Sequence, residues 1–347
     1  MTTTSIIDQS WPEPELEAVA ACPFCGSTER KLAYGDAQDW AFYCAPGKWA
    51  YWDCAGCQAL YLDPRPTPQS IGKAYDKYYT HGLKPLARLA QNFKTALRNE
   101  CYKHWFGIRL SPRLHLPGIA APLANLLKGR FIIPFGLQEL AQMPAGKLLD
   151  IGCGSGDFLL LAKQAGWQTL GIDLDSKACE VAQSKGLRVI NAGIEEVGKL
   201  QEQFDCLFCS HILEHTYDPN SLLRLMKSVL KPGGRILLSL PNSQSAFRYY
   251  FGKEWRGLEA PRHIAIPAAA SLKIQLEQLG FHVHTALHHT IFSSAESFKI
   301  RRRSETLSEE DKQKAQQLST QLPLDNYETA DFIHFVCTLA TESAQAS

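Results

Sequence analysis

The stretch LDIGCGSGDFLLLAKQAG, residues 149–166, decides the fold. An apolar segment leads into Gly152, Gly154 and Gly156, and a second apolar segment follows and ends at Gly166. Glycine reaches left-handed backbone conformations and lets a ligand approach the main chain closely. The spacing therefore predicts a strand, a tight turn with exposed N–H groups, and a helix that ends on a glycine cap. Such a turn is typical of nucleotide-binding α/β folds.

The residues around this turn alternate between strand-like and helix-like patterns, as in a parallel sheet wrapped by helices. The helix starts are predicted at Asp175 and Asp218, and Lys231–Gly234 predicts a stop before the next strand. Pro267 opens a further helix that ends at Gly280. We predict strands at 147–151, 168–174, 188–191, 204–210, 235–241, 281–287 and 331–337.

Two carboxylates decide which nucleotide the turn suits. A dinucleotide would bring its pyrophosphate to the start of the helix, where this chain carries Asp157. S-adenosylmethionine has no phosphate and presents a cationic amino group and a sulfonium, so carboxylates near the turn favour it. Asp150 is expected to face the methionine part, and Asp173 to accept both ribose hydroxyls. We therefore predict S-adenosylmethionine rather than NAD; the alternative is a structural glycine turn beside a surface aspartate.

Four cysteines near the N-terminus have the spacing of a metal site. They form two C-x₂-C pairs, Cys22 with Cys25 and Cys54 with Cys57. Four thiolates make a closed tetrahedral site that suits structural Zn²⁺ and leaves no position for a catalytic water. The competing interpretation is a redox pair, but no βαβ pattern surrounds either pair. The insert between the pairs is longer than in the tightest zinc ribbons.

The composition is that of an ordinary globular protein. Of 347 residues 45% are hydrophobic and 20% charged, and the formal net charge is +1. This charge provides no basic field for a nucleic-acid backbone, so no nucleic-acid partner is expected. We find no secretory signal and no uncharged apolar run of about 18 residues, so we expect a cytoplasmic protein without a transmembrane segment. The sequence gives no indication of oligomeric state.

Several motifs follow one another in a specific order: DIGCGSG at 150–156, GID at 171–173, HILEH at 211–215, DP at 218–219, LKPGG at 230–234 and PRH at 261–263. With these motifs the chain, from about Gly146 to Leu287, resembles bacterial class I methyltransferases of the ubiquinone-biosynthesis-like group. The resemblance implies a seven-stranded Rossmann-like core that binds S-adenosylmethionine, with Leu174 and Ser210 at the cofactor site. One departure is Asn191-Ala192-Gly193, where many relatives have an acid that reads the adenine amino group; this leaves adenine to the backbone near Ala192 or to Glu195.

An N-terminal zinc-binding module joined to such a core is similar to sugar C-methyltransferases of deoxysugar biosynthesis. This similarity implies a small-molecule acceptor such as a nucleotide-linked sugar or a precursor of a glycan or secondary metabolite. The chain departs from those enzymes after Thr290, where we find no second α/β domain. The predicted fold class is α/β, with a zinc-ribbon-like module at 18–66, a helical linker or cap at 67–142, and a methyltransferase core at 143–347 carrying a helical insertion near 290–328.

Methyl transfer to oxygen or carbon requires a base. His215 is the first candidate, with Glu214 orienting it, because both follow a strand at the ligand-binding edge of the sheet. The alternative is that they cap the next helix or line the cofactor pocket. His263 is the second candidate, on a loop that either covers the acceptor or packs on the cap. We expect Tyr249, Tyr250, Trp255 and Arg262 to line the acceptor pocket, and His282, His284, His288 and His289 to be exposed or packing residues.

Three functions follow from these residues. The first is a small-molecule methyltransferase whose zinc module recognises the acceptor. The second is a binding protein that holds S-adenosylmethionine without turnover while the zinc module docks a partner. The third, RNA methylation, is disfavoured by the near-neutral charge.

Overall fold

The computed structural model describes residues 6–75, 88–114, 120–127, 133–286, 292–322 and 326–341. The chain forms two compact units. The first comprises Met1–Thr80, Ser210–Arg224 and Leu238–Cys337. The second comprises His81–Cys209, Leu225–Leu237 and Thr338–Ser347.

The strands and helices of the described residues alternate along the second half of the chain. The strands are β1 Leu16–Glu17, β2 Arg30–Ala37, β3 Trp49–Cys54, β4 Leu60–Leu62, β5 Arg65–Pro66, β6 Lys147–Ile151, β7 Gln168–Asp173, β8 Val189–Asn191, β9 Phe204–Ser210, β10 Leu230–Pro241, β11 Ala265–Ile266, β12 Phe281–Thr285 and β13 Phe332–Leu339. The helices are α1 Arg88–Phe106, α2 Ala120–Leu126, α3 Leu137–Ala141, α4 Asp157–Gln164, α5 Ser176–Ser184, α6 Pro219–Val229, α7 Ala246–Phe251, α8 Ala269–Gln278, α9 Phe292–Arg302 and α10 Glu309–Gln321.

A seven-stranded sheet confirms the predicted α/β class. Its strand order is β12-β13-β10-β9-β6-β7-β8, and β6 pairs in parallel with both β7 and β9. Strands β6 and β9 have the predicted bounds. Strand β10 starts earlier than predicted, since it includes the residues of the Lys231–Gly234 stop; Gly233 keeps the expected bend with φ of +75°. The predicted strand 281–287 ends at Thr285, and Leu287 lies outside the described residues.

A second sheet of four antiparallel strands carries the cysteines. Its order is β11-β4-β3-β2, so the edge strand comes from a segment about two hundred residues further along the chain. Ala265 pairs with Tyr61, and the amide of Leu62 donates to the carbonyl of Ile264 at 3.0 Å. Aromatic residues occupy β3, between the cysteine pairs, and Tyr51 on this strand is fully buried. The N-terminal strands thus take part of their sheet from the C-terminal half.

Within the described residues, no helix combines the length and apolar character needed to cross a bilayer.

Candidate active site

The glycine turn between β6 and α4 has the predicted open backbone. Gly152, Gly154 and Gly156 all have positive φ, at +77°, +51° and +77°. A Cβ on Gly154 would meet no atom within 4 Å, whereas one on Gly156 would lie 2.5 Å from Leu187 Cδ1. The turn is therefore packed against the protein at Gly156 and open for a ligand at Gly154.

Asp173, at the end of β7, organises this turn. Its Oδ2 accepts from the amide of Gly154 at 2.7 Å and its Oδ1 from that of Asp175 at 2.8 Å. A carboxylate accepts about four hydrogen bonds, so two positions remain for hydroxyl groups. Asp150 lies on β6 and is buried; burial and then the charge of Asp173 raise its pKa well above its ordinary value. A cation beside Asp150 would favour the ionised form.

The residues at the end of β8 and just after it include both candidates for adenine recognition, the backbone near Ala192 and the side chain of Glu195. The amide of Ala192 donates to the carbonyl of Asp173 at 3.0 Å. Asn191 Nδ2 donates to the carbonyls of Asp173 and Leu174, both at 3.0 Å. A Cβ on Gly193 would overlap the Glu195 carboxylate, which therefore lies against this backbone. The amide of Ala192 is therefore already hydrogen-bonded, whereas the carboxylate of Glu195 can accept a hydrogen bond.

Two further predicted cofactor residues lie at strand ends. Leu174 follows β7 and leaves 78% of its surface exposed, although its side chain is apolar. Ser210 is the last residue of β9 and is half-buried. Asp157, whose carboxylate disfavours a pyrophosphate at the start of α4, forms an ion pair with Lys185 at 2.7 Å. Its charge is therefore partly compensated, and the preference for S-adenosylmethionine depends mainly on Asp150 and Asp173.

The four predicted metal ligands lie together. The Sγ atoms of Cys22, Cys25, Cys54 and Cys57 are all within 4.8 Å of one another. The Sγ–Sγ distances are 3.6 Å between Cys22 and Cys57 and 3.4 Å between Cys25 and Cys54. A tetrahedral zinc site with Zn–S bonds of about 2.3 Å separates its sulfurs by about 3.8 Å, so the cluster has nearly the right size. The hydrogen bond from the Cys57 thiol lowers the pKa of Cys22 to about 5.

The two cysteine turns share one backbone conformation. The residue after each pair, Gly26 or Gln58, has positive φ, at +74° and +60°. Each of these amides donates to the carbonyl of the first cysteine of its pair, at 2.9 and 3.0 Å. The two turns therefore present their thiols in the same way.

The three predicted catalytic residues form one cluster. One ligating atom from each of Glu214, His215 and His263 lies within 4.8 Å of the other two. The rings of His215 and His263 are perpendicular, with centroids 4.7 Å apart. Glu214 is fully buried, and its Oε2 has no hydrogen-bond partner among the described residues. Such a group is compact enough to share a proton or to hold a cation.

The charges of this cluster are set by burial and by close partners. Burial raises the pKa of Glu214, but the hydrogen bond from His211 and the nearby histidines outweigh it, so the net shift is downward. Burial lowers the pKa of His263 to about 4. The cluster near neutral pH therefore holds a carboxylate beside a neutral imidazole. His211, half-exposed and bonded to Glu214 at 3.1 Å, was not among the predicted site residues.

Backbone carbonyls fix the tautomers of both imidazoles. His215 Nδ1 lies 2.9 Å from the carbonyl of Arg262, and His263 Nδ1 lies 2.7 Å from the carbonyl of Gly257. A carbonyl only accepts, so both Nδ1 atoms carry the proton and both Nε2 atoms have a free lone pair. The hydroxyl of Tyr75 lies 3.1 Å from the same nitrogen of His215. Nε2 is therefore the unprotonated nitrogen of both rings.

The prediction for the acceptor pocket was wrong for two of its four residues. Trp255 is buried in the core, where its indole N–H donates to Asp331 at 2.8 Å. Arg262 is fully buried because it pairs with Asp39. Tyr249 and Tyr250 are exposed and line a cavity of about 520 Å³, together with Gln58, Gln244, Ala246, Ala270, Leu322, Glu328 and Thr329.

The histidines near β12 lie apart from this cluster. His282 and His284 are exposed, as predicted. His288 and His289 lie outside the described residues.

Comparisons with known proteins indicate a methyltransferase. A family model described as a methyltransferase domain matches residues 127–286. A ubiquinone biosynthesis O-methyltransferase of Bordetella avium is 33% identical over 163 residues, which cover 42% of this chain and 68% of that protein. The chain belongs to the class I S-adenosylmethionine-dependent methyltransferases. A second relative, the ubiquinone biosynthesis O-methyltransferase of Stutzerimonas stutzeri, is 32% identical over 116 residues, which cover 30% of this chain and about half, 49%, of that protein.

Methyltransferases are also among the solved structures to which the chain is similar. One is an S-adenosylmethionine-dependent methyltransferase of Archaeoglobus fulgidus, 24% identical, with a TM-score of 0.40. The match covers 56% of this chain and 86% of that one.

The described residues fit the methyl donor of this class. The main chain is open at Gly154, and no basic side chain is needed because the donor has no phosphate. Asp150 and Asp173 supply two carboxylates for a ligand that carries cationic groups and two hydroxyls.

Proposed function

We propose that this methyltransferase acts on a small molecule with an ionisable hydroxyl group. The observation that carries the proposal is the cluster of buried Glu214 and His263 with half-buried His215, which has two Nε2 lone pairs. Both relatives named above are O-methyltransferases, which supports an oxygen acceptor. A nucleotide-linked sugar is a narrower candidate that the same cluster would serve.

When bound, S-adenosylmethionine supplies an electrophilic methyl group. Asp173 would accept the ribose hydroxyls on its two remaining positions while it continues to hold the amide of Gly154. Asp150 would face the cationic methionine part, since its buried carboxyl gains most from a neighbouring positive charge. Leu174 would cover the adenine ring, and the carboxylate of Glu195 would accept a hydrogen bond from the adenine amino group.

His215 is proposed as the base. Its Nε2 would take the acceptor proton, since Nδ1 already donates to the carbonyl of Arg262. The resulting imidazolium would be stabilised by the carboxylate of Glu214, which is buried in a medium that strengthens charge interactions. His263 is neutral and lies 3.9 Å from Glu214, so it would serve as a second acceptor or steer the substrate.

The cavity beside Tyr249 and Tyr250 is proposed to recognise part of the acceptor. Its volume of about 520 Å³ is in the range of small-molecule sites. The tyrosine hydroxyl of Tyr249 donates to Gln244 at 2.8 Å, and Gln244 donates to the carbonyl of Gln58 at 3.1 Å. Two aromatic faces and a row of amides are suited to a ring with polar edges.

We propose that the four cysteines bind one structural zinc ion. Their sulfurs have nearly tetrahedral spacing, and both turns present thiols from matching backbone conformations. The ion would tie Cys22–Cys25 to Cys54–Cys57 and so close the antiparallel sheet at its turns.

The proposed activity is tested by a screen with isotopically labelled methyl donor. Purified enzyme is incubated with separate pools of phenols, neutral sugars and nucleotide-linked sugars, and with cell extract. We expect label as a methoxy group in the product of a hydroxyl-bearing acceptor, with a smaller yield from His215→Asn. Label in no pool, although the protein binds the donor, would instead indicate the non-catalytic binding protein; label in RNA from the extract would indicate the third function.

A further inference from the structure

The loop Trp255–His263 depends on the N-terminal segment for its conformation. It supplies the two carbonyls that fix the tautomers of His215 and His263. The hydroxyl of Tyr51, on β3, reaches the carbonyls of Leu258 and His263 at 2.9 and 2.8 Å. Immediately after the loop, β11 pairs with β4. Two strands of the cysteine-bearing sheet therefore hold the middle and the end of the loop.

An ion pair holds the loop near its end, at Arg262. Arg262 and Asp39 are both fully buried, and Nη2 of the arginine lies 2.5 Å from Oδ1 of the aspartate. Nη1 of Arg262 also donates to the other oxygen of Asp39 at 3.2 Å and to the carbonyl of Ala74 at 2.8 Å. Its Nε donates to Glu259 at 3.2 Å, and Phe42 packs against the guanidinium. The side chain of Arg262 is thus fixed on every side.

Asp39 belongs to a tight turn of its own. Its Oδ1 accepts from the amide of Phe42 at 3.1 Å, and its Oδ2 from those of Cys44 and Ala45 at 2.9 Å. An aspartate with this many donors cannot move without unfolding the turn. The position of Arg262, and of the carbonyl on the same residue, is therefore set by a segment 223 residues away along the chain.

We propose that Asp39 and Arg262 are positioning residues for catalysis: their buried ion pair places the Arg262 carbonyl that keeps His215 in its Nδ1–H tautomer. The inference rests on the proposed role of His215 as the base. A histidine in the other tautomer has a proton at Nε2 and accepts none there. The N-terminal module would then contribute to the chemistry through Asp39, in addition to the recognition role that the sequence suggested.

The tautomer of His215 is measured directly by nuclear magnetic resonance of the zinc-loaded, full-length enzyme labelled with ¹⁵N-histidine. The His215 signals are assigned by their loss in His215→Gln. We expect one protonated and one unprotonated ring nitrogen in the wild type. In Asp39→Asn and in Arg262→Lys we expect averaged nitrogen shifts, because the carbonyl no longer holds one tautomer.

Kinetics give the second measurement. Asp39→Asn should lower kcat by about 10-fold, a fraction of what loss of a base costs, and leave donor affinity and the acceptor KM unchanged. The matched control is Asp53→Asn. Asp53, on β3, forms a similar two-oxygen pair with buried Arg248 of the C-terminal half, at 2.8 Å. This variant should change neither the His215 signals nor kcat.

Two outcomes would overturn the proposal. One is an unchanged His215 spectrum in folded Asp39→Asn and Arg262→Lys; the other is an equal effect of Asp53→Asn. If Asp39→Asn does not fold, as judged by circular dichroism, Arg262→Lys decides alone. If His215→Asn keeps its turnover, the base assignment fails, whereas the spectra still show whether the ion pair sets the tautomer.

Discussion

The glycine turn and the histidine cluster are built in opposite ways. In the turn, the amide of Gly154 donates to Asp173, which is only 19 residues further along the chain. Gly154 follows β6, and Asp173 ends β7, the neighbouring parallel strand. In the cluster, His215 depends on Arg262, and Arg262 depends on Asp39, 223 residues away. The turn is a local motif in which the left-handed backbone conformations favour glycine. The cluster is assembled from distant segments, and its chemistry depends on contacts that no short motif contains.

We expect the strongest effect from a change in the cysteine cluster, which joins separate segments of the chain. Cys54→Ser should remove the proposed zinc ion and unfold the N-terminal sheet, since structural zinc sites contribute about 10 kcal/mol or more to folding. Metal analysis should find about one zinc per chain in the wild type and none in the variant. Cys101→Ser, which changes a buried cysteine outside the cluster, should keep the metal. A folded wild-type protein without metal would refute the site.

The next test concerns the local motif. Asp173→Ala should weaken donor binding by about 100-fold or more, because two charge-assisted hydrogen bonds are lost and the amide of Gly154 is left without its acceptor. Calorimetry measures the affinity. Asp175→Ala removes a neighbouring carboxylate that caps α5, and should have a much smaller effect. Equal losses in the two variants would take Asp173 out of the ribose role.

The pH dependence of stability tests the burial of the cluster. The pKa of His263 falls from 6.5 to about 4 in the folded protein, because burial outweighs the charges of Glu259 and Glu214, and His215 adds to the lowering. Between these values the unfolded chain binds more protons, so the free energy of unfolding should decrease as pH falls from 6.5 to 4, by at most about 3 kcal/mol. Urea titrations of wild type and His263→Gln should show a smaller decrease in the variant. Parallel curves would contradict a buried, neutral His263.

The smallest expected effect concerns the cavity. Tyr249→Ala should raise the acceptor KM by about 5-fold with little change in kcat, since one aromatic face contributes about 1 kcal/mol. The measurement requires the acceptor found in the labelling screen. Ile274→Ala changes an exposed apolar residue that does not line the cavity and should leave KM unchanged. A change in kcat alone would move Tyr249 from recognition to catalysis.

The sequence predicted the sheet, the turn and the cysteine cluster because each has a periodic or spaced pattern. The bounds of β6 and β9 follow from apolar runs, and Gly154 follows from a backbone that other residues adopt poorly. The sequence also predicted Glu214 and His215 as candidate catalytic residues, because both follow a strand. The proposed roles of these residues remain predictions.

The buried polar contacts of the structure could not be predicted from any local pattern in the sequence. Asp39 stands in an aromatic stretch that looks like an ordinary strand end, yet it is fully buried. Trp255 and Arg262 had the composition of a binding loop, but Asp331 and Asp39 provide buried partners for them. Burial of a polar residue depends on a partner elsewhere in the chain, which spacing alone does not reveal.

In the proposed reaction His215 takes the acceptor proton at Nε2. The kcat of His215→Asn tests this role when the donor affinity is measured by calorimetry on the same preparation. We expect a loss in kcat of about 100-fold or more, with donor affinity unchanged. A rate close to that of the wild type would contradict it, and so would a loss of rate fully explained by weaker donor binding.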